Sequence, residues 1–214
     1  MTMKTLLLRC SLVTAAVCAA SVASAADAGA PAATAHGAGE KGVFVSLKVG
    51  GVVPFSALGP NGIGGLDLGY ALDNGLAFGV AGDYAQPKAS GTESDARVAG
   101  GTYKWRLEEQ LLQVMPFVLY RIKSLGAVVP YAGIGPRFYF QRSTVKSDGA
   151  PAFGETKEQR AAYGVGVPLG AELKLGPGAG IAEVLLQYGG LDHTITGKAN
   201  SGAASLSIGY RMMF

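Results

Sequence analysis

Cysteine occurs only at Cys10 and Cys18, and histidine only at His36 and His193. A chain without cysteine past residue 18 has no disulfide, no thiolate metal site and no thiol nucleophile in that remainder. Two histidines so far apart make a poor metal centre, and no metal or other cofactor is expected. Charge is scarce as well, at 15% of residues with a formal net charge of +3. Lys4 and Arg9 lie in an N-terminal segment that reads as removable, which leaves sixteen basic against fifteen acidic residues. That near balance gives no reason to expect nucleic acid as a partner. Long apolar runs are also missing: past residue 25 none approaches the ~18–20 residues of a transmembrane helix.

What the chain does have is glycine, 33 residues of it, and a hydrophobic fraction of 49% with a mean hydropathy of +0.27. So apolar a composition excludes a disordered chain. The N-terminus has the parts of a secretory signal peptide: Lys4 and Arg9, the apolar run 12–22, and the A-x-A site Ala23-Ser24-Ala25. Cleavage is expected between Ala25 and Ala26, giving a signal peptide over 1–25. Neither cysteine follows the small residue that a lipoprotein site needs. Residues 26–41 are Ala, Gly and Pro with little to bury, and read as a flexible periplasmic tail. An apolar exported chain with no spanning helix is either a secreted β-protein or a membrane barrel.

The C-terminal stretch favours the barrel. Ala204, Leu206, Ile208, Tyr210, Met212 and Phe214 alternate with Ala203, Ser205, Ser207, Gly209, Arg211 and Met213. A period of two is that of a β-strand, here with one apolar and one small or polar face. The pattern recurs at Val43–Val52, Gly62–Leu72, Leu76–Ala85, Leu111–Ile122, Val128–Gln141, Ala161–Leu175 and Ile181–Leu191, which with Gly202–Phe214 makes eight strands. Each is about long enough to cross a bilayer at a tilt. The connections alternate long and short, beginning with a long one, and an even count leaves both termini on the periplasmic side. Asp73-Asn74-Gly75 is a tight hairpin turn, and Gly176-Pro177-Gly178 a second. Residues 86–95 are loop by composition, and Ala96–Leu107, which could be a strand but with Arg97, Lys104 and Arg106 lacks a clean apolar face, is placed in an outer loop as a rim hairpin or a short helix. With the first strand running outward, Tyr70, Tyr120, Tyr210 and Phe214 fall at the periplasmic edge. Tyr84, Phe138, Phe140, Tyr163 and Tyr188 fall at the outer edge, forming two interfacial girdles.

The fold class expected is therefore all-β, an eight-stranded antiparallel up-and-down transmembrane barrel over residues 42–214. It has short periplasmic turns and longer extracellular loops. Val129-Pro130-Tyr131-Ala132-Gly133-Ile134-Gly135, the turn Leu175–Gly178 and Ser207–Phe214 resemble the small eight-stranded outer-membrane proteins of the OmpA-barrel, OmpX and OmpW group. That resemblance implies residence in the outer membrane of a Gram-negative bacterium, among outer-membrane lipid and lipopolysaccharide. It also implies a C-terminal signal, matched by Ile208, Tyr210, Met212 and Phe214, that the barrel-assembly machinery reads after periplasmic chaperones deliver the chain.

The inward faces collect Lys48, Asp67, Asp83, Arg121, Arg137, Glu172, Lys174, Glu183 and Arg211. Eight strands enclose an interior just wide enough for side chains, and buried charges need partners. These groups are expected to form a structural network of ion pairs that fills the lumen. The alternative is a narrow path for ions, or for small or apolar solutes, and the inward-facing Phe44, Met115, Phe117 and Leu119 keep a transport role open. A catalytic role is not expected: Asp192-His193 with Thr194 and Ser201 matches no lipid-hydrolase motif, and the glycine-rich stretch 59–65 lacks the Lys-Ser/Thr of a phosphate loop. Two functions remain. One is a structural or interaction barrel that presents its loops to an unidentified extracellular ligand, and the other is a transporter.

Overall fold

The computed structural model describes residues 41–55, 58–96, 100–123, 127–148, 154–191 and 202–214. The strands are β1 (Gly42–Pro54), β2 (Asn61–Ala71), β3 (Leu76–Ala85), β4 (Lys88–Ser94), β5 (Thr102–Arg121), β6 (Val128–Asp148), β7 (Glu155–Leu175), β8 (Gly178–Gly189) and β9 (Gly202–Met213). Every pairing is antiparallel between chain neighbours, with β3 also on β5 and β1 on β9. Those two pairings close the sheet into an eight-stranded barrel, and β4 is the ninth strand, outside the closed ring. Among the described residues no α-helix forms. The signal peptide and its Ala25–Ala26 cleavage site lie outside the described residues, as do His36 and the Asp192, His193, Thr194 and Ser201 group.

Local chemistry explains the short turns. Gly75 has φ 90°, which only glycine adopts readily, and the Asn74 side chain accepts from the Leu76 amide at 3.0 Å. Gly176 likewise has φ 62° where β7 turns into β8. Closure is completed at the periplasmic floor, where the Phe214 amide donates to the Val43 carbonyl at 2.8 Å and the Val43 amide to the Phe214 carbonyl at 3.1 Å. Interior prolines interrupt the ladders. The β5–β6 register skips from Val114↔Phe138 to Val118↔Ile134, across Pro116 and Pro136, which have no amide to donate.

The register also assembles the two girdles. Tyr84, Leu112, Phe140 and Ala161 share one row near the outer rim, and Phe138 pairs with Tyr163 just below it. At the floor Tyr70 lies across from Phe78, their rings 6.0 Å apart, and the Tyr210 hydroxyl donates to the Leu175 carbonyl at 2.8 Å. The lipid-facing set is exposed apolar surface, including Leu47, Val49, Leu68, Val80, Val118, Ile134, Leu206 and Ile208. A water-soluble protein does not display a continuous belt of this kind.

Three strands run far past the bilayer. β5, β6 and β7 have 20, 21 and 21 residues, against the ~9–11 that a crossing needs. β4 extends the line of β3 after a break at Gln86-Pro87 and pairs with the outer half of β5, from Lys88↔Glu108 to Ser94↔Thr102. Residues 88–94 and 102–108 are thus paired antiparallel strands, and no helix forms in the described part of this segment. The expected strands starting at Leu111 and Ala161 and ending at Gln141 were too short, because the outer halves of β5, β6 and β7 follow a different pattern. Within the bilayer the even positions of β5 are apolar: Leu112, Val114, Pro116, Val118 and Tyr120. Above it those same outward positions carry Lys104, Arg106, Glu108 and Gln110, while Tyr103, Trp105 and Leu107 turn inward. The polarity of the two faces inverts where hydrocarbon gives way to water.

Candidate functional site

The interior is built from the inward positions of all eight crossing strands. Lys48 on β1 and Asp67 on β2 stand side by side, because their neighbours pair across the β1–β2 ladder. The Lys48 ammonium lies 2.9 Å from Asp67 Oδ1 and 2.9 Å from Glu183 Oε1. Tyr131 donates its hydroxyl to the other Glu183 oxygen at 2.9 Å. Arg211 on β9 is the hub below. Its Nε donates to Ser46 Oγ at 2.8 Å, one NH2 group lies 3.7 Å from Asp67, and the other contacts Glu172 directly. Glu172 receives Arg121 on its second oxygen at 2.8 Å, so one carboxylate bridges two guanidinium groups. A separate cluster sits nearer the outer rim, where Arg137 reaches Asp83 at 2.6 Å and Gln113 Oε1 at 2.7 and 2.9 Å.

Four cations, Lys48, Arg121, Arg137 and Arg211, thus face four acids, Asp67, Asp83, Glu172 and Glu183, and all eight are buried. Lys174 is the exception among the nine inward groups expected. It shares the parity of Glu172 but lies two residues further down, beside the turn at Gly176, and its side chain is exposed at the periplasmic rim. Parity fixes the face of a strand, but whether a position is still inside the barrel depends on where the floor falls.

Apolar groups occupy the space between the charges. Phe44, Met115, Phe117 and Leu119, the set that kept a transport role open, belong to one buried cluster with Ala71, Ala77, Ala81, Tyr131, Leu185 and Met213. Phe44 and Phe117 have ring centroids 6.4 Å apart, and the Arg211 guanidinium lies 4.4 Å over the Phe44 ring. Glycines opposite make room for the long side chains. A Cβ at Gly69 would run into the Phe44 ring, at Gly170 into the Tyr131 ring, and at Gly65 into the Asp83 carboxylate. Between Lys48, Asp83 and Glu183 the remaining cavity is about 10 Å³, roughly the space of one water molecule. Among the described residues no group of three or more His, Cys, Asp or Glu side chains is placed to hold a metal ion.

Above the outer girdle lies an acid that the sequence reading did not single out. Glu109 is buried on the inward face of β5, level with Ser143 on β6 and Glu158 on β7. Burial pushes its carboxyl up to about 7; Gln141 opposes that rise by hydrogen bonding, and Glu158 adds to it. The signal was available, since Glu109, Gln113 and Arg121 share one parity along a strand without a bulge. A carboxyl whose folded-state value is raised binds protons more tightly when folded. The stability linked to Glu109 is therefore fully present below its ordinary value of 4.5 and is lost as pH rises through about 7. Glu109→Gln is expected to unfold at higher urea than the parent at pH 8, by roughly 2–3 kcal/mol, with little gain at pH 4. Urea titrations of liposome-folded protein at the two pH values measure it.

A closed barrel with two aromatic girdles, a lipid-facing apolar belt and a packed polar interior defines a small transmembrane β-barrel of the outer-membrane type. Residues 10–212 match the family described as "Outer membrane protein beta-barrel domain", and the chain belongs to that family. Solved structures similar to it include Neisserial surface protein A, at 20% identity and a TM-score of 0.49 over 84% of this chain and 99% of the other. Ail, the attachment invasion locus protein of Yersinia pestis, is similar at 15% identity and a TM-score of 0.41, over 80% of this chain and 97% of the other. OprG from Pseudomonas aeruginosa shares 11% identity at a TM-score of 0.49, over 81% and 97%. No curated protein sequence matches the chain significantly.

Proposed function

We propose that this chain is a closed, non-conducting outer-membrane barrel whose task is to hold a β-sheet out from the cell surface for interaction with an external partner. The carrying observation is the length of β5, β6 and β7: about half of β5 and roughly a third of β6 and β7 stand beyond the outer girdle and, with β4, make a four-stranded sheet. A barrel that served only as an anchor or a pore has no use for strands twice the bilayer crossing. The inner face of that sheet carries Tyr103, Trp105, Leu107 and Val145, partly or fully buried, and supplies rigid aromatic surface.

A non-conducting role is supported by the interior. The four cations and four acids are matched, and the space between Lys48, Asp83 and Glu183 amounts to about one water. A transporter would need Phe44, Met115, Phe117 and Leu119 to line an open path, whereas they are packed on one another. The reading includes no enzymatic step. Two measurements test it. Purified protein in planar bilayers is expected to give no large, stable current steps, and porin-sized steps would sink the proposal. A cysteine introduced at the exposed Ser90 of β4 is expected to react with a membrane-impermeant maleimide on intact cells. Labelling only after the outer membrane is breached would place the sheet on the wrong side.

A further inference from the structure

β4 is the strand of the projecting sheet that is not continuous with the barrel wall. β5, β6 and β7 run unbroken from the floor into the sheet, whereas β4 follows β3 through the break at Gln86-Pro87 and pairs on one side, with β5. Two backbone bonds fasten its lower end. The Gly59 amide donates to the Lys88 carbonyl at 3.2 Å, and the Glu109 amide to the Pro87 carbonyl at 3.0 Å. Higher up, Gly91 lies opposite Trp105, and a Cβ there would fall 2.7 Å from the indole ring. β4 therefore covers part of the aromatic face of β5 while it is hinged at Pro87.

Glu109 occupies that hinge twice over. Its amide holds the buried Pro87, and its carboxyl turns to the inner face, buried in a row with Ser143 of β6 and Glu158 of β7. Leu107 and Leu111, one inward position to either side, are buried as well. The groups that face it do not balance its charge. β6 brings Ser143 and Gln141, which are neutral. β7 brings Glu158, a second acid, and Arg160, which is exposed and one inward position further down. β4 brings no titratable group before Glu93, three inward positions up and opposite Tyr103. β3 brings Asp83, already paired with Arg137 at 2.6 Å. Burial accordingly holds the Glu109 carboxyl protonated up to about 7, because an ionised carboxylate there demands water. Water enters most readily beneath Pro87, where the wall is already broken. We propose that the Glu109 carboxyl is a proton-operated latch on β4. Protonated, it packs beneath the hinge and keeps the strand down. Ionised, it draws in water and lets β4 swing away from Trp105 and the edge of β5.

The latch regulates the aromatic face that the proposed function presents, and for that use it rests on the reading above. Its operation does not: labelling at Ser90 is read on cells and the latch on purified protein, so either can fail alone. The full chain folded into phosphatidylcholine liposomes is followed by hydrogen exchange of the β4 amides, corrected for the intrinsic pH dependence of exchange. Glu109 titrates at the ordinary 4.5 when β4 is open and at about 7 when it is latched. Opening therefore grows as pH rises between those values and levels off above them. The opening equilibrium of β4 is expected to rise roughly a hundredfold from pH 4.5 to pH 8, with the amides of β1, β8 and β9 unchanged. Glu109→Gln, which keeps the shape and cannot ionise, is expected to remove the pH dependence. Flat exchange of β4 in the parent across this range overturns the proposal, as does a Glu109→Gln protein that still titrates. A rise shared equally by β1, β8 and β9 also overturns it, since that is loosening of the whole barrel and not of one strand.

Discussion

Glu172→Ala is expected to be the most damaging single change in the barrel interior, costing roughly 3–5 kcal/mol of folding stability. Glu172 is fully buried, and its two oxygens take Arg121 at 2.8 Å and the Arg211 guanidinium by direct contact. Removing the carboxylate leaves those two positive groups facing one another inside a wall of hydrocarbon-clad strands. Asp67, 3.7 Å from Arg211, answers only part of the lost charge, since Lys48 already claims it at 2.9 Å. Glu172→Gln keeps the shape and is expected to lose less, because the amide oxygen still accepts one arginine donor. The double change Glu172→Leu with Arg211→Met removes one charge of each sign but also takes the carboxylate from Arg121, so it is expected to recover only part of the loss. Urea midpoints of protein folded into phosphatidylcholine liposomes rank the series. A loss below about 1 kcal/mol for Glu172→Ala would mean that water reaches and solvates the arginines, and would sink the sealed-lumen reading with it.

The architecture was legible in the sequence to the extent that strands lie in the bilayer. Hydrocarbon imposes one rule on every crossing strand, apolar outward, so alternation located β3 at Leu76–Ala85 with both ends matching, and the starts of β6 at Val128 and β9 at Gly202. The same parity puts nine charges on the inward face; eight of them lie in the interior ion pairs, where an eight-stranded barrel leaves little other room, and Lys174 lies exposed at the rim. The projecting sheet was not legible by that rule. At Lys104, Arg106 and Glu108 the outward face is polar, and a reader looking for lipid-facing residues sees a broken pattern where the structure has an inverted one. The alternation itself never stops, and Tyr103, Trp105, Leu107 and Glu109 keep the inward parity of Gln113. Pro87 hid the other arm in the same way: it interrupts the ladder between β3 and β4, yet Pro87 and Ala89 continue the parity of Ala85. What no reading of alternation supplies is which partner each charge takes. That Glu172 rather than Asp67 bridges the two arginines follows from strand shear and side-chain reach, which are properties of the closed barrel.

Removal of Phe214 is expected to separate the energetics of the barrel from its route into the membrane. Phe214 exchanges two backbone hydrogen bonds with Val43, at 2.8 and 3.1 Å, and its ring is exposed at the periplasmic girdle on the face shared by Ile208, Tyr210 and Met212. An aromatic ring at an interface and one pair of bonds at a strand end are together a modest stability term, about 1–3 kcal/mol. Phe214→Ala keeps the backbone bonds, so its loss in liposomes is expected at the low end of that range. If the C-terminal residues are also the signal read by the barrel-assembly machinery, as we propose, the same variant made in cells is expected to reach the outer membrane at a tenth of the parent level or less, roughly the factor that 1.4 kcal/mol of recognition energy supplies. Heat-modifiable gel mobility of outer-membrane fractions gives the second quantity and liposome refolding the first. A fall in cells no larger than the liposome loss accounts for would leave Phe214 a girdle residue and nothing more. A large fall in cells from a variant that refolds well would assign it a recognition role that its contacts in the finished barrel do not require.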